Sequence, residues 1–187
     1  MNTRSIAVFC GSKSGNNPVF TAHAAELGCL IGKNNMTLVY GGGSRGIMGT
    51  LADAVMRHGG KVTGVIPKKL IEWEHQHNGI SQLLVTDDMH TRKKMMYELC
   101  DFALILPGGF GTLDELFEML TWNQLAIHNK QIFILNSGNF YSHLINHIRR
   151  MEEEGFLYEP AGTRITFIDN PQQLVPFISQ VSADPLA

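Results

Sequence analysis

The chain has 187 residues, of which 44% are hydrophobic and 17% are charged, and its formal net charge is −2. This length and composition predict a single globular domain over residues 1–187 and exclude a disordered chain. The small net charge and the absence of a long basic run argue against nucleic acid or a membrane surface as the main partner.

Three cysteines, Cys10, Cys29 and Cys100, lie far apart and form no Cys-x-x-Cys pair. An odd, scattered count disfavours a disulfide framework and is typical of a reducing compartment. The first residues lead into a strand-like segment without the apolar stretch of a signal peptide, and no run of about 18 apolar residues predicts a membrane span. We therefore expect a cytoplasmic protein.

Short apolar runs alternate with longer helical segments along the chain. The runs predicted as strands are 5–10, 36–40, 61–66, 83–85, 102–106, 132–135 and 165–168. The segments predicted as helices are 18–33, 46–58, 89–100, 112–127, 141–153 and the residues after Pro171. Because continuous apolar strands suit a parallel sheet buried on both faces, we predict a Rossmann-like, three-layer α/β fold with a central parallel sheet and helices on both faces.

The segment 67–81 is polar, irregular and rich in histidine, and a loop of this length is usually functional or mobile. His75 and His77 form a His-x-His pair, but no cysteine, aspartate or third histidine follows at a convincing ligand spacing. We therefore expect no metal site and no cofactor.

Three glycine-bearing loops follow predicted strands, at 10–12, 41–46 and 107–112. In open parallel sheets, ligands bind beyond the carboxyl ends of the strands, which is where these loops would meet. Their convergence predicts the position of a ligand site.

The second of these loops contains a Gly-x-Gly-x-x-Gly pattern at Gly41, Gly43 and Gly46, between a strand and a helix. Glycines let backbone N–H groups approach a phosphate, and the helix N-terminus adds the positive end of its dipole. A dinucleotide site also needs an acid after the next strand, where this chain has Pro67 and Lys68. The loop is interpreted as a monophosphate cradle, and the alternative is a tight turn whose glycines allow close packing.

The third loop leads into a helix that we predict to start at Thr112, with Asp114 and Glu115 in its first turn. Thr112 and Glu115 match a Thr-x-x-Glu capping box, which would serve only to close the helix N-terminus. The glycines before Thr112 place this helix start at the ligand edge, so Glu115 is also a candidate for contact with the ligand. Glu118 lies three residues later, close to the same helix face.

A basic cluster of Arg92, Lys93 and Lys94 stands at the start of another predicted helix, where cations oppose the helix dipole. One interpretation is an anionic partner, since Arg92 can bind a carboxylate or a phosphate in two-pronged geometry. The other is a solvated basic face.

Taken together, three motifs resemble those of the cytokinin-activating "Lonely guy" family, whose bacterial relatives also carry the label lysine decarboxylase-like. The motifs are Gly-Gly-Gly-x-x-Gly-Ile-Met-Gly at 41–49, Met-His-x-Arg-Lys at 89–93 and Pro-Gly-Gly-x-Gly-Thr-x-x-Glu at 107–115. Ile47 stands where leucine is usual and Asp114 where glutamate is common, and neither change removes a needed group.

The resemblance implies a homodimer that hydrolyses a nucleoside 5′-monophosphate, either AMP or a cytokinin riboside monophosphate, to free base and ribose 5-phosphate. It implies that Arg92 and Glu115 are the catalytic pair. Taken with the loop interpretations, it gives these candidate substrate-binding residues: Gly42, Gly43, Gly46, Glu74, Lys93, Gly108, Gly109, Gly111, Thr112, Asp114, Glu118 and Thr121.

Apolar residues on more than one face of the segment 112–127 favour a buried subunit interface, although a large intrachain core would give the same pattern. They are Leu116, Phe117, Leu120, Trp122, Leu125 and Ile127.

Two alternative functions remain compatible with the sequence: a nucleotide sensor or carrier and a nicotinamide-dependent oxidoreductase. A non-catalytic nucleotide sensor or carrier would bind the nucleotide without releasing the base. A nicotinamide-dependent oxidoreductase would prefer NAD, and the absence of an acid after Ile66 speaks against it. A pyridoxal-dependent decarboxylase would need a Schiff-base lysine with an acid partner for the ring nitrogen, a setting that neither Lys93 nor Lys94 offers.

Overall fold

Seven parallel strands form one sheet in the computed structural model, which describes residues 4–71 and 75–179. The strands are β1 (Ser5–Phe9), β2 (Thr37–Tyr40), β3 (Lys61–Pro67), β4 (Gln82–Thr86), β5 (Phe102–Ile105), β6 (Ile132–Leu135) and β7 (Ile165–Ile168). The α-helices are α1 (Val19–Lys33), α2 (Gly46–Arg57), α3 (Met89–Glu98), α4 (Phe110–Gln124), α5 (Ser142–Glu153) and α6 (Val175–Ser179). This architecture confirms the predicted α/β fold.

The sheet has the order β4-β3-β2-β1-β5-β6-β7, so the chain reverses its direction of progress across the sheet at β1. Strands β2 and β5 both pair with β1, and the loops that follow these three neighbouring strands share one edge. Gly11 donates its backbone N–H to the carbonyl of Pro107 at 3.0 Å, which ties the first and third glycine-bearing loops together. The switch point of the sheet therefore lies where the sequence predicts a ligand site.

The two faces of the sheet bury separate hydrophobic cores. Along β1, Ile6 and Val8 enter one core, whereas Ala7 and Phe9 enter the other. All four side chains are at most 1% exposed, which explains why the strand has no polar alternation. Helices α1, α2 and α6 contribute to the first core, and α3, α4 and α5 contribute to the second.

Most predicted bounds agree with the structure to within one or two residues, but those of α4 do not. The prediction that Thr112 starts this helix is wrong, because Gly109 is the N-cap residue and the helix begins at Phe110. The helix also ends at Gln124, three residues early, because Ala126 adopts a left-handed conformation with φ of 55°. The N–H of Ile127 then bonds back to the carbonyl of Trp122, as in a Schellman motif.

None of the described helices combines the length and apolar character needed to cross a bilayer.

A glycine at the centre of α1 sets the distance between α1 and α2. A Cβ atom added to Gly28 would lie 2.6 Å from the Cβ atom of Ala54 and 2.7 Å from the carbonyl oxygen of Leu51. The two helices therefore approach closely along their backbones. Because α2 begins at the carboxyl edge of the sheet, this packing also fixes one wall of the predicted site.

We expect Gly28→Ala to destabilise the protein by about 1–3 kcal/mol, because the added methyl group forces α1 and α2 apart. Alanine is otherwise the better helix former, so intrinsic propensity alone would give a change of opposite sign. The measurement is urea unfolding followed by circular dichroism. Gly162→Ala is the control, because an added Cβ atom there meets nothing within 4 Å. Equal stabilities of the Gly28→Ala variant and the wild type would contradict the close-approach interpretation.

Candidate active site

A cavity of about 580 Å³ opens at the switch point of the sheet. Its walls come from the loops after β1 and β5 and from the first turns of α2, α3 and α4. Of the predicted site residues, the cavity wall contains Arg92, Gly108, Gly109, Gly111, Thr112 and Glu115. These residues are separated in sequence, so the sheet topology is what brings them together.

The buried ion pair of Arg92 and Glu115 forms the polar wall of the cavity. The Arg92 Nη1 atom donates to Glu115 Oε1 at 3.0 Å, and the two residues are only 4% and 6% exposed. The Arg92 Nε atom also donates to the carbonyl of Val65 at the end of β3, at 3.0 Å. A buried charge needs such partners, and here they fix both the guanidinium and the carboxylate in orientation.

The Arg92 guanidinium occupies space that is available only because Gly41 has no side chain. A Cβ atom added to Gly41 would lie 2.5 Å from Arg92 Nη2 and 3.2 Å from Met48 Cε. Gly41 follows β2 directly, so the first glycine of the second glycine-bearing loop serves the placement of Arg92.

The first turn of α4 is open toward the cavity. Gly109, its N-cap residue, has an extended backbone and makes no side-chain cap hydrogen bond. Thr112 is the third residue of the helix and is buried, and it packs against Gly108 so tightly that a Cβ atom on Gly108 would collide with its hydroxyl. The capping-box interpretation of Thr112 and Glu115 is therefore wrong, and the N–H groups of this first turn are available to an anion.

A second group of charges joins α3 to α4 outside the cavity wall. The Lys93 Nζ atom lies 3.1 Å from Asp114 Oδ2 and 3.0 Å from Glu118 Oε2, and the Tyr97 hydroxyl donates to Glu118 Oε2 at 2.8 Å. Burial by itself lowers the pKa of Lys93, but the bonds to Glu118 and Asp114 outweigh it and raise that pKa above its usual value. Arg92 and Lys93 of the basic cluster thus find their anionic partners among the carboxylates of α4, whereas Lys94 pairs with Glu98 of α3. The network holds α3 against α4 and so keeps Arg92 next to Glu115.

The second glycine-bearing loop is occupied by a strap of chain at 75–77. The N–H of Ser44 donates to the carbonyl of His75 at 2.9 Å, and the N–H of His77 donates to the carbonyl of Gly42 at 2.9 Å. Gly43 also forms a β-bridge with Gln76. These backbone groups are therefore used within the protein, and neither Gly42 nor Gly43 is part of the described cavity wall.

Gly46 has a packing role as well. Its φ is +60°, and a Cβ atom there would collide with the carbonyl of Ser12. Gly46 is outside the described cavity wall, whereas the next two residues of α2, Ile47 and Met48, belong to it. For Gly42, Gly43 and Gly46 the structure favours the close-packing interpretation over a direct grip on phosphate.

The side chain of His77 in the polar loop has an internal role. His77 Nε2 lies 3.0 Å from Asp53 Oδ1, and His77 Nδ1 accepts the N–H of Gly79 at 3.1 Å. Asp53 belongs to α2, so His77 fastens the strap to that helix. Within residues 4–71 and 75–179, no three His, Cys, Asp or Glu side chains are grouped to hold a metal ion. Glu74, a predicted substrate contact, lies outside the described residues.

Thr121 lies apart from the cavity. Its hydroxyl donates to the carbonyl of Phe117 at 2.7 Å, and it borders a separate groove of about 280 Å³ between α4, α5 and the segment after α5. The structure therefore does not bring Thr121 to Arg92 and Glu115.

Sequence reasoning missed Lys13 and a set of apolar side chains at the cavity mouth. The apolar residues are Phe20, Leu70, Met89, Phe110 and Phe140. The adjacency of Lys13 to the loop 10–12 could have identified it, and the position of Phe110 inside the third motif could have identified that ring. No comparable signal exists for Phe20, Leu70 and Phe140, which converge only through the fold.

Comparison with known proteins agrees with this geometry. The sequence profile described as "Possible lysine decarboxylase" matches residues 48–178. A cytokinin riboside 5′-monophosphate phosphoribohydrolase of Rhodococcoides fascians is 41% identical over 163 residues, which are 87% of this chain and 82% of that protein. A protein of the same name from Arabidopsis thaliana is 42% identical over 170 residues, 91% of this chain and 80% of that protein. The chain belongs to this phosphoribohydrolase family.

Solved structures with the same fold have other names. A molybdenum cofactor binding protein from Rippkaea orientalis superimposes with a TM-score of 0.73 at 21% identity, over 98% of this chain and 99% of that one. A molybdenum cofactor carrier protein from Chlamydomonas reinhardtii gives 0.76 at 17% identity, over 98% and 100%. At these identities the likeness shows the fold alone, and the phosphoribohydrolase assignment rests on the closer sequence relatives.

In this phosphoribohydrolase-family chain, we expect Arg92→Met to destabilise the fold by about 3–5 kcal/mol, because Glu115 is then left as a buried charge without its cation. The double variant Arg92→Met/Glu115→Gln removes both charges, so its loss should be smaller than the sum of the two single losses. Urea unfolding at one protein concentration measures the free energy of unfolding of the wild type, of each single variant (Arg92→Met and Glu115→Gln) and of the double variant. Strictly additive losses would contradict a coupled pair.

Proposed function

We propose that this chain is a hydrolase that cleaves the N-glycosidic bond of a nucleoside 5′-monophosphate and releases free base and ribose 5-phosphate. One observation carries the proposal: the buried carboxylate of Glu115 is held by Arg92 in the wall of a cavity to which glycine-rich loops, helix N-termini and apolar side chains also contribute. Relatives at about 40% identity carry the name of this reaction, and this supports the proposal.

Glu115 has the chemistry that the reaction requires. Cleavage of a glycosidic bond gives the sugar a cation-like transition state. A carboxylate beside the anomeric carbon stabilises that charge, and it can also deprotonate the attacking water. Arg92 orients the carboxylate through Nη1, and its own position is fixed by Val65. Because the pair is buried, little solvent reorganisation accompanies the development of charge.

The start of α4 supplies the phosphate site of this proposal. Gly108, Gly109, Gly111 and Thr112 all contribute to the cavity wall, and the N-cap residue Gly109 has no side chain that could cap the first-turn N–H groups. Such N–H groups, together with the positive end of the helix dipole, bind a phosphate dianion. A phosphate held there fixes the sugar within reach of Glu115, which lies one turn further along the same helix.

The cavity mouth suits a purine that carries an apolar substituent. Phe110 is 93% exposed at the mouth, and Met89 and Phe140 are also partly open there. We propose that both AMP and a cytokinin riboside 5′-monophosphate are substrates, with the isoprenylated base taken up by these side chains. Released base can be measured for both nucleotides by chromatography.

Lys93 and Lys94 do not fit a pyridoxal-dependent decarboxylase. Lys93 is bound to Asp114 and Glu118 outside the cavity wall, and Lys94 faces Glu98 on the surface. A Schiff-base lysine must reach the reacting carbon in the site, and neither side chain is so placed. The word decarboxylase in the profile description therefore has no counterpart in these residues.

The groove between α4 and α5 is the subunit interface of a homodimer in this proposal. Phe117, Leu125, Ile127 and Phe156 are 38%, 63%, 60% and 78% exposed, respectively. An exposed apolar surface of this kind is typical of an interaction site. We further propose a reducing, cytoplasmic location, in keeping with three cysteines that form no disulfide within the described part of the chain.

Glu115→Gln is expected to lower the rate of adenine release from AMP by at least about a hundredfold, because glutamine neither stabilises a cationic sugar nor accepts a proton. Nucleotide binding should persist, since the phosphate site at the start of α4 is intact. Glu153→Gln, which changes an exposed carboxylate on α5, is the matched control and should have wild-type activity. A Glu115→Gln enzyme with the wild-type rate would remove this residue from the reaction. Tight nucleotide binding by the wild type without any base release would instead favour the sensor or carrier.

Leu125→Glu is expected to convert the protein to monomers, because it places a charge in the proposed apolar interface. Light scattering coupled to size-exclusion chromatography measures the mass. Val85→Glu is the control, since Val85 is also an exposed apolar residue but lies on the edge strand β4. A wild-type protein that is monomeric at all concentrations would refute the interface.

A further inference from the structure

Lys13 occupies an unusual place in the cavity wall, between the starts of two helices. A Cβ atom added to Gly46, the first residue of α2, would lie 2.7 Å from the carbonyl carbon of Lys13. A Cβ atom added to Gly11 would lie 3.2 Å from the Lys13 carbonyl oxygen and 3.4 Å from Gly108 Cα, in the loop that leads into α4. The backbone of Lys13 therefore packs between the N-terminus of α2 and the loop before α4, and Lys13 itself is part of the cavity wall.

Among the described residues, positive charge gathers at this point without a balancing carboxylate. The charge of Arg92 is matched by Glu115, the one carboxylate in the described cavity wall. Lys13 is exposed, and no ion pair joins it to an acid among residues 4–71 and 75–179. The N-cap residues of α2 and α4, Arg45 and Gly109, make no side-chain cap hydrogen bond, and the positive ends of the two helix dipoles face the same region.

Such an arrangement is unfavourable by itself and favourable once an anion is present. An ammonium group and two open helix N-termini repel one another, and a phosphate dianion between them reverses the sign of all three interactions. Lysine suits this task because it is a flexible point charge that can follow a phosphate group. Its exposure means that the amine reaches the ligand from the rim of the cavity.

We propose that Lys13 is the residue by which the site selects phosphorylated ligands over unphosphorylated ones, that is, nucleoside monophosphates over nucleosides and ribose 5-phosphate over ribose. The inference rests on the proposed function, since it places the 5′-phosphate of that substrate between Lys13 and the start of α4. It adds a specificity-determining residue that lies outside the three motifs.

Binding of ribose 5-phosphate, the proposed product, tests Lys13 without any turnover. We expect Lys13→Met to weaken this binding by about tenfold in isothermal titration calorimetry, the size of one charge-assisted hydrogen bond at an accessible position. Lys13→Arg should restore most of the affinity. Lys33→Met is the matched control, because it removes the same charge at the far end of α1. Added salt should weaken binding to the wild type more than binding to Lys13→Met.

Kinetics with AMP give a second and independent readout. In Lys13→Met we expect kcat/KM for AMP to fall by about tenfold through KM, with kcat close to that of the wild type. If the wild type releases no base from any monophosphate, the proposed function is wrong, and ribose 5-phosphate binding still tests Lys13. Unchanged binding of ribose 5-phosphate to Lys13→Met would overturn the inference. An equal loss of affinity for AMP and adenosine would also overturn it, because Lys13 would then contact the nucleoside.

Discussion

The ion pair between Arg92 and Glu115 is the interaction on which the rest of the site depends. A buried charge is strongly destabilising unless an opposite charge lies beside it. The pair is therefore compatible with only one relative position of α3 and α4. Several features support that position. The carbonyl of Val65 accepts a hydrogen bond from Arg92 Nε, and the absence of a side chain at Gly41 leaves room for the guanidinium. Lys93 also connects α3 to α4 through its ion pair with Asp114. The result is a carboxylate that faces the cavity in a fixed orientation before any ligand arrives.

Around this pair, the glycines divide into two kinds. Gly41, Gly46 and Gly108 allow parts of the protein to approach one another, whereas Gly109, where an added Cβ atom would meet nothing within 4 Å, leaves the start of α4 open to a ligand. Both kinds occur in motifs that look alike in sequence. A glycine-rich loop at the edge of a parallel sheet is therefore evidence of close approach, and only the surroundings decide whether the approaching group is backbone, side chain or phosphate.

The fold and the central pair could be predicted from the sequence because their signals are local and strong. Apolar runs such as that of β1 suit only a doubly buried strand, and the motifs at 89–93 and 107–115 carry Arg92 and Glu115. The start of α4 could not be predicted, because its N-cap Gly109 has no side-chain signature while Thr112 matches a capping box by coincidence. The pairing of the strap at 75–77 with the second glycine-bearing loop could not be predicted either, because backbone hydrogen bonds between distant segments leave no pattern in the sequence.

The pairing of β1 with both β2 and β5 has a consequence for how the site comes into being. Ile6 lies opposite Leu38 on one side and opposite Phe102, 96 positions along the chain, on the other. Contacts so distant in sequence require a large loss of chain entropy before they form, which makes such sheets slow to assemble. The loop after β1 and the helix start after β5 meet only once the second pairing is complete. A folding intermediate that lacks β5 therefore has no cavity, and a ligand bound there stabilises the finished sheet alone.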